Sequence, residues 1–247
     1  MSAVNIDINC DVGEGFDNES QLFQYISSCN IACGGHAGND ATMQKVVLLA
    51  KRNKIKIGAH PSYPDRVNFG RITMEISPEA LLQSIQEQVR SLNNILDNQG
   101  VVLHHIKAHG ALYNDITKNA TLATTFLSAI EQYKERSFVY APYGSVIAAQ
   151  AAKRGFHIKY EAFADRSYNP DLSLVSRSQP KALIQDCQKV LDHLLLMAKH
   201  SKVLTVDDTE VKMKADTYCI HGDSPSALQI LMYLDQELPK HNIKIKR

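Results

Sequence analysis

Residues 4–15 read Val-Asn-Ile-Asp-Ile-Asn-Cys-Asp-Val-Gly-Glu-Gly. Side chains on a strand alternate between its two faces, so Asp7, Asn9 and Asp11 share one face while Ile6, Ile8 and Cys10 share the other. A strand face this polar is costly to bury against helices. Its natural place is the interior of a barrel, pointing up into a wet, substrate-sized pocket. The turn that follows lacks the GxGxxG spacing of a dinucleotide-binding sheet, which argues against an open doubly wound fold.

Working outward, the same unit recurs: a short apolar run, a small polar or glycine-rich turn, then a longer helical pattern. Candidate strands are Val4–Cys10, Asn30–Gly34, Ile55–Ala59, Val101–Ala108, Phe138–Ala141, His157–Ala164 and Thr217–Ile220. Helical patterns lie near 40–53, 78–99, 118–134, 145–154, 180–199 and 225–238. Strands alternating with helices imply βαβ units and a parallel sheet. Ser77-Pro78-Glu79 marks a helix start by N-cap, first-turn proline and acid, and Ser224-Pro225 reads as the same device before the last helix. About seven such units predict an α/β fold, a TIM-like β/α barrel of seven strands, as one domain over residues 1–247.

Bulk properties narrow the partners. With 27 basic and 26 acidic residues the chain has no strongly basic balance, which speaks against nucleic acid or an anionic membrane surface. The start, MSAVNIDINCD, has neither the basic nor the apolar region of a signal peptide, so a cytoplasmic protein is expected. Five cysteines, mostly in apolar runs, suit reduced, buried thiols better than a disulfide framework or a zinc site.

Functional residues of a β/α barrel come from the carboxyl ends of its strands. Here those ends carry Asp11 and Glu14, His36, His60 and Asp65, Lys107 and His109, Glu161, Asp165 and Arg166, and His221 and Asp223. By parity His105, Lys107 and His109 share one strand face, and Glu161, Phe163 and Asp165 another. Four histidines and several acids meeting at one rim define a candidate site. Asp11, Glu14, His60, Lys107, His109, Glu161, Asp165 and Arg166 are the candidate catalytic groups; His36, Asp65, Arg71, Tyr113, Asn114, His221 and Asp223 are candidates for holding substrate. Arg166 either pairs with its neighbour Asp165 or faces substrate, and Arg71 either closes over substrate or is solvated.

The ordered motifs NCDVGEG, NIACGGHAGN, IGAHPSYPD, KAHGALYN, EAFADRSY and CIHGDSPSA resemble the LamB/YcsF family from about Asn5 to Leu228. The resemblance implies a barrel of the glycoside hydrolase/deacetylase type. It also implies the role of the A subunit of a 5-oxoprolinase, which opens 5-oxo-L-proline (pyroglutamate) to L-glutamate with ATP, Mg2+ accompanying the nucleotide, and separate B and C subunits as partners; a homo-oligomer is compatible with it. Gly35, Asn39, Ile72 and Ala108 depart from the family pattern, where a large apolar residue, an acid, an arginine and a proline are usual.

On this reading Asp11 or His60 is the general base toward water, and Lys107 and Arg166 hold developing negative charge. The chain has no GxxxxGK[ST] loop, so any ATP site has another geometry, at the Gly222-Asp223-Ser224-Pro225 helix start or on a partner. Two alternatives stand beside it. One is a carbohydrate deacetylase-like hydrolase with a divalent metal at the rim on Asp11, His60 and His109 or His221. The other is a non-catalytic substrate-binding subunit.

Overall fold

The computed structural model describes residues 3–247. Its strands in chain order are β1 (Val4–Val12), β2 (Ser28–Ala32), β3 (Lys56–His60), β4 (His105–Ile106), β5 (Phe138–Pro142), β6 (His157–Phe163), β7 (Lys202–Leu204), β8 (Glu210–Lys212), β9 (Thr217–Cys219) and β10 (Ile243–Ile245). The helices are α1 (Glu19–Leu22), α2 (Asp40–Arg52), α3 (Pro78–Asn98), α4 (Gly110–Ile116), α5 (Ala120–Ala129), α6 (Val146–Lys153), α7 (Cys187–His200) and α8 (Ala227–Glu237). Strands β1 to β6 pair in parallel with their neighbours, β6 pairs with β9, and β9 returns to β1 through Asp7↔Thr217 and Asn9↔Cys219. The result is a closed, seven-stranded parallel barrel built from the seven strands read in the sequence.

Several boundaries moved, each for a local reason. The fourth strand is shorter than expected because Val101 closes the end of α3, its N–H bonding the Leu96 carbonyl. Ladder-like bonds nonetheless flank β4, from His104 N–H to Ile57 O and from Lys107 N–H to Ala59 O. The helix expected near 180–199 begins only at Cys187, where the Asp186 side chain caps Lys189 N–H. Ser77 caps α3 as expected. Ser224-Pro225 does not cap α8: they lie in a turn, and the helix starts at Ala227 without a side-chain cap. The short helices α1 and α4, the β7–β8 hairpin and β10 carry too few periods to register in the sequence. No helix among the described residues is long and apolar enough to cross a membrane.

Outside the barrel wall, apolar strand residues such as Ile8, Ile31 and Ile57 pack on the helices in one continuous core. Inside, the polar face of β1 starts a buried column of hydrogen bonds. Asp7 accepts from Ser28 and Thr217, and Asn9 donates to Thr217. Asn30 donates to both Asn9 and Asp11, and the His105 ring meets its carbonyl oxygen at 2.6 Å. Buried polar groups are tolerated when they satisfy one another this fully. Room for the His105 ring exists because residue 58 is glycine: a Cβ there would lie 2.2 Å from His105 Nε2. Gly58→Ala is therefore expected to destabilise the fold by about 1–3 kcal/mol through overpacking. Urea unfolding measures this, and an unchanged midpoint contradicts the account of the column.

Candidate active site

At the carboxyl ends of the barrel strands the column opens into a cavity of about 790 Å³. Among the charged groups lining it is Lys107, only 2% exposed. The ammonium lies 2.9 Å from Asp11 Oδ1 on β1 and 2.9 Å from Glu161 Oε1 on β6, with Cys219 Sγ at 3.2 Å. Burial pushes the Lys107 ammonium toward neutrality, but Asp11, Cys219 and Glu161 around it outweigh that and raise its pKa well above the usual value. Burial likewise opposes ionisation of Asp11, and His60 and Lys107 overcome it, holding that carboxyl well below the ordinary range. Neither Glu161 oxygen receives a well-directed hydrogen bond, and the Tyr113 hydroxyl is also buried without one.

Beside this ionic centre stand three stacked or edge-on imidazoles. His36 lies flat on His109 at 3.6 Å, and His60 meets His109 edge-on. His60 Nδ1 faces the Lys107 carbonyl at 2.9 Å and His109 Nε2 faces the Phe69 carbonyl at 2.9 Å. Carbonyls only accept, so His60 Nδ1 and His109 Nε2 carry an N–H. The remaining nitrogens, His60 Nε2 and His109 Nδ1, face one another at 3.0 Å, with Asp11 Oδ2 at 3.3 Å from the former. Glu14 reaches His36 Nε2 at 2.9 Å. Burial first, and then the charge of Asp11, raises the Glu14 carboxyl to about 7. Burial and then the charge of His60 depress His36 to about 2, so it stays neutral. The ligand atoms of Asp11, His60 and His109, and those of Glu14, His36 and His109, lie within 4.8 Å of one another, close enough to hold a metal ion.

The structure brings together most of the residues singled out in the sequence. Asp11, Glu14, His60, Lys107, His109, Glu161, Arg166, Arg71, Tyr113, Asn114, His221 and Asp223 all line the cavity. His36 and Asp165 stand just behind it. Asp165 accepts from His221 N–H at 2.9 Å and meets its Nδ1 at 3.0 Å, fixing a ring that stacks on Phe163. Asp65 lies away from the cavity and folds its own loop, accepting from Asn68 N–H and side chain. Arg166 does not pair with Asp165; its guanidinium donates to the carbonyls of Ala182 and Val175. Arg71 is not free in solvent: it pairs with Asp223 and lies over the Phe69 ring.

The outer wall was not legible. It is built by the excursion between β6 and α7, with Tyr168, Asn169, Ser173, Ser176 and Arg177, and by Lys118 and Ser145 opposite. Two of the departures noted in the sequence are absorbed locally. Gln88, bonded to the Ser62 backbone, fills the space over Gly35, where a Cβ would fall 2.4 Å from its side chain. Asn39 caps α2 by accepting from Thr42 N–H, a task asparagine performs as well as an acid. Ile72 is exposed and Ala108 buried, and nothing in the structure explains either departure.

A parallel barrel with a buried ionic and imidazole cluster at the carboxyl ends of its strands defines an α/β-barrel protein with an enzyme-like site. The chain belongs to the LamB/YcsF family, whose model matches residues 6–247. The A subunit of 5-oxoprolinase from Haemophilus influenzae (strain PittGG) is 40% identical, covering 97% of this chain and 98% of that protein. Its counterpart from Pyrococcus furiosus is 36% identical, covering 98% and 97% respectively. The solved lactam utilization protein from Thermus thermophilus superposes with a TM-score of 0.89 at 32% identity, over 98% of this chain and 99% of that one. A family 4 carbohydrate esterase from Streptomyces lividans shares the fold alone, with a TM-score of 0.50 and 10% identity over 100% of this chain and 94% of that one.

Lys107→Met removes the partner of two buried carboxylates, so a loss of about 3–5 kcal/mol is expected at neutral pH. Denaturant unfolding checks it: recovery of most of that loss by Glu161→Gln in the same chain supports the pairing, whereas an unchanged single variant contradicts it.

Proposed function

We propose that the chain is the A subunit of an ATP-dependent 5-oxoprolinase, opening the lactam of 5-oxo-L-proline to L-glutamate together with B and C subunits. The observation that carries the reading is the Asp11–Lys107–Glu161 centre beside Glu14, at the base of a cavity of about 790 Å³. The names of the relatives support the same assignment. A five-membered lactam is a stable amide, and transfer of the terminal phosphoryl group of ATP, with Mg2+, to its carbonyl oxygen supplies the activation. Water then adds to that carbon and the ring C–N bond breaks, the nitrogen taking a proton. A second water releases phosphate from the resulting acyl phosphate.

This chain's residues supply the proton transfers and the charge. Glu14, raised to about 7, is a better base near neutrality than Asp11, whose carboxylate is strongly stabilised. Glu14 therefore takes the proton of the attacking water and returns it to the departing nitrogen. Lys107, held by Asp11 and Glu161, lies beside the carbon as negative charge develops on oxygen. His36 orients Glu14, and Asp165 fixes His221 at the cavity wall.

Glutamate release should require ATP and the B and C partners. Glu14→Gln should lower turnover by about 10²–10⁴-fold. Because the base acts ionised, turnover of the unmodified enzyme should rise with pH through about 7. A Glu14→Gln enzyme with full turnover and an unchanged pH profile would remove Glu14 from this role.

A second reading is favoured by one observation. The facing nitrogens of His60 and His109 lie 3.0 Å apart, with Asp11 Oδ2 3.3 Å from the former. Their outer nitrogens are anchored on carbonyls, as those of metal-ligating histidines usually are. The donor set fits a divalent ion, which would activate water for a deacetylase-like hydrolysis. Stoichiometric metal retained after chelation and dialysis, with no ATP-dependent lactam opening, would select this reading over the first.

A further inference from the structure

The deep end of the cavity cannot neutralise an anion. Its one ammonium, Lys107, already faces both Asp11 and Glu161, and Glu14 adds a third carboxyl group. A negatively charged substrate must find its counter-charge elsewhere in the same cavity. The outer wall supplies it. Arg166 is 6% exposed, and its guanidinium is held by two neutral acceptors, Val175 O at 2.6 Å and Ala182 O at 3.2 Å. Among the described residues it forms no ion pair, since the adjacent Asp165 turns away to His221. Its two anchoring carbonyls bracket Arg177, so Arg166 pins the segment that carries a second guanidinium. Arg177 has only a long contact, 3.7 Å, to Asp223, a carboxylate already engaged by Arg71. Asn169, Ser173 and Ser176 complete this side of the cavity, and Lys118 stands opposite, 3.7 Å from Asp171. Burial first, then the charge of Arg177, depresses Arg166 to about 10, as two facing cations without an intervening anion require.

We propose that Arg166 and Arg177 form an oxyanion site in the outer lobe, which receives the charged group of a ligand whose reacting atoms lie at the Lys107 centre. Planar guanidinium forks match both carboxylate and phosphoryl oxygens. The anion is thus either the carboxylate of the lactam substrate or a phosphoryl group of the nucleotide. The inference rests on the lactam-opening reading for the identity of these ligands, but its test needs no turnover.

The test is calorimetric titration of the full chain and of Arg177→Gln with three probes: 5-oxo-L-proline, its uncharged analogue 2-pyrrolidinone, and pyrophosphate. Arg177 is part-exposed, so the substitution is expected to leave the fold intact, which circular dichroism verifies. Loss of a charged hydrogen-bonding partner should weaken the anion by about 10- to 100-fold, while 2-pyrrolidinone is unaffected. Weakening confined to 5-oxo-L-proline assigns the carboxylate, and weakening confined to pyrophosphate assigns the phosphoryl group. Added KCl should weaken the same ligand on the unmodified chain. Equal affinities in both proteins, or no binding of either anion by the unmodified chain, would overturn the proposal. Arg177-dependent anion binding in a chain that opens no lactam with its partners would leave the oxyanion site standing and remove the functional reading.

Discussion

A charged amine in the interior of a barrel is tolerable only with opposite charge on more than one side. Lys107 meets that condition through Asp11 on the first strand and Glu161 on the sixth, so closure of the barrel and assembly of the site are one event. Much of the interior follows from it. Asp11 is steered by Asn30, which is steered in turn by His105, and Gly58 makes the space that His105 occupies. Isolated removal of any member leaves a polar group buried without a partner, the costliest kind of defect in a low-dielectric interior. Buried pairs of this kind add little net stability compared with well-packed apolar residues. Their presence at the top of the barrel is therefore better explained by chemistry than by stability.

The charge distribution along the cavity gives the site a direction. Carboxylates dominate the deep end, where the proposed reaction takes a proton from water and returns one to the leaving nitrogen. Guanidinium and ammonium groups dominate the outer wall, where the excursion between β6 and α7 folds across the mouth. At the rim Asp223 pairs with Arg71 and lies within reach of Arg177, linking three loops through one carboxylate. A small anionic ring would be oriented by this gradient, its charge outward and its amide bond inward.

The barrel and its inner site were largely legible because strand parity is strict. Asp7, Asn9 and Asp11 had to share one face of their strand, and the alternation around Lys107 and Glu161 set each on one face with its neighbours His105 and His109, or Phe163 and Asp165. Histidine positions at strand ends carried the rest. What escaped notice has no such period. Arg177 lies in a segment with no repeating pattern and Lys118 at the very edge of a helical one, and only tertiary closure brings them to the cavity. Asp65 sits in a motif-rich loop yet serves that loop's own turn, a distinction that spacing alone does not carry. Ser224-Pro225 resembles a helix start, but the chain stays in a turn beyond it before α8 begins at Ala227. The pairing of Asp165 with His221 rather than Arg166 depends on the return of β9 to β6, which no local pattern encodes.

The most direct test of the central claim is difference electron density from crystals of this chain soaked with 5-oxo-L-proline. The account predicts the lactam ring in the cavity, its carbonyl carbon beside Lys107 and Glu14. Density for the lactam outside this cavity, or a metal ion on Asp11, His60 and His109 with no lactam bound, would contradict it.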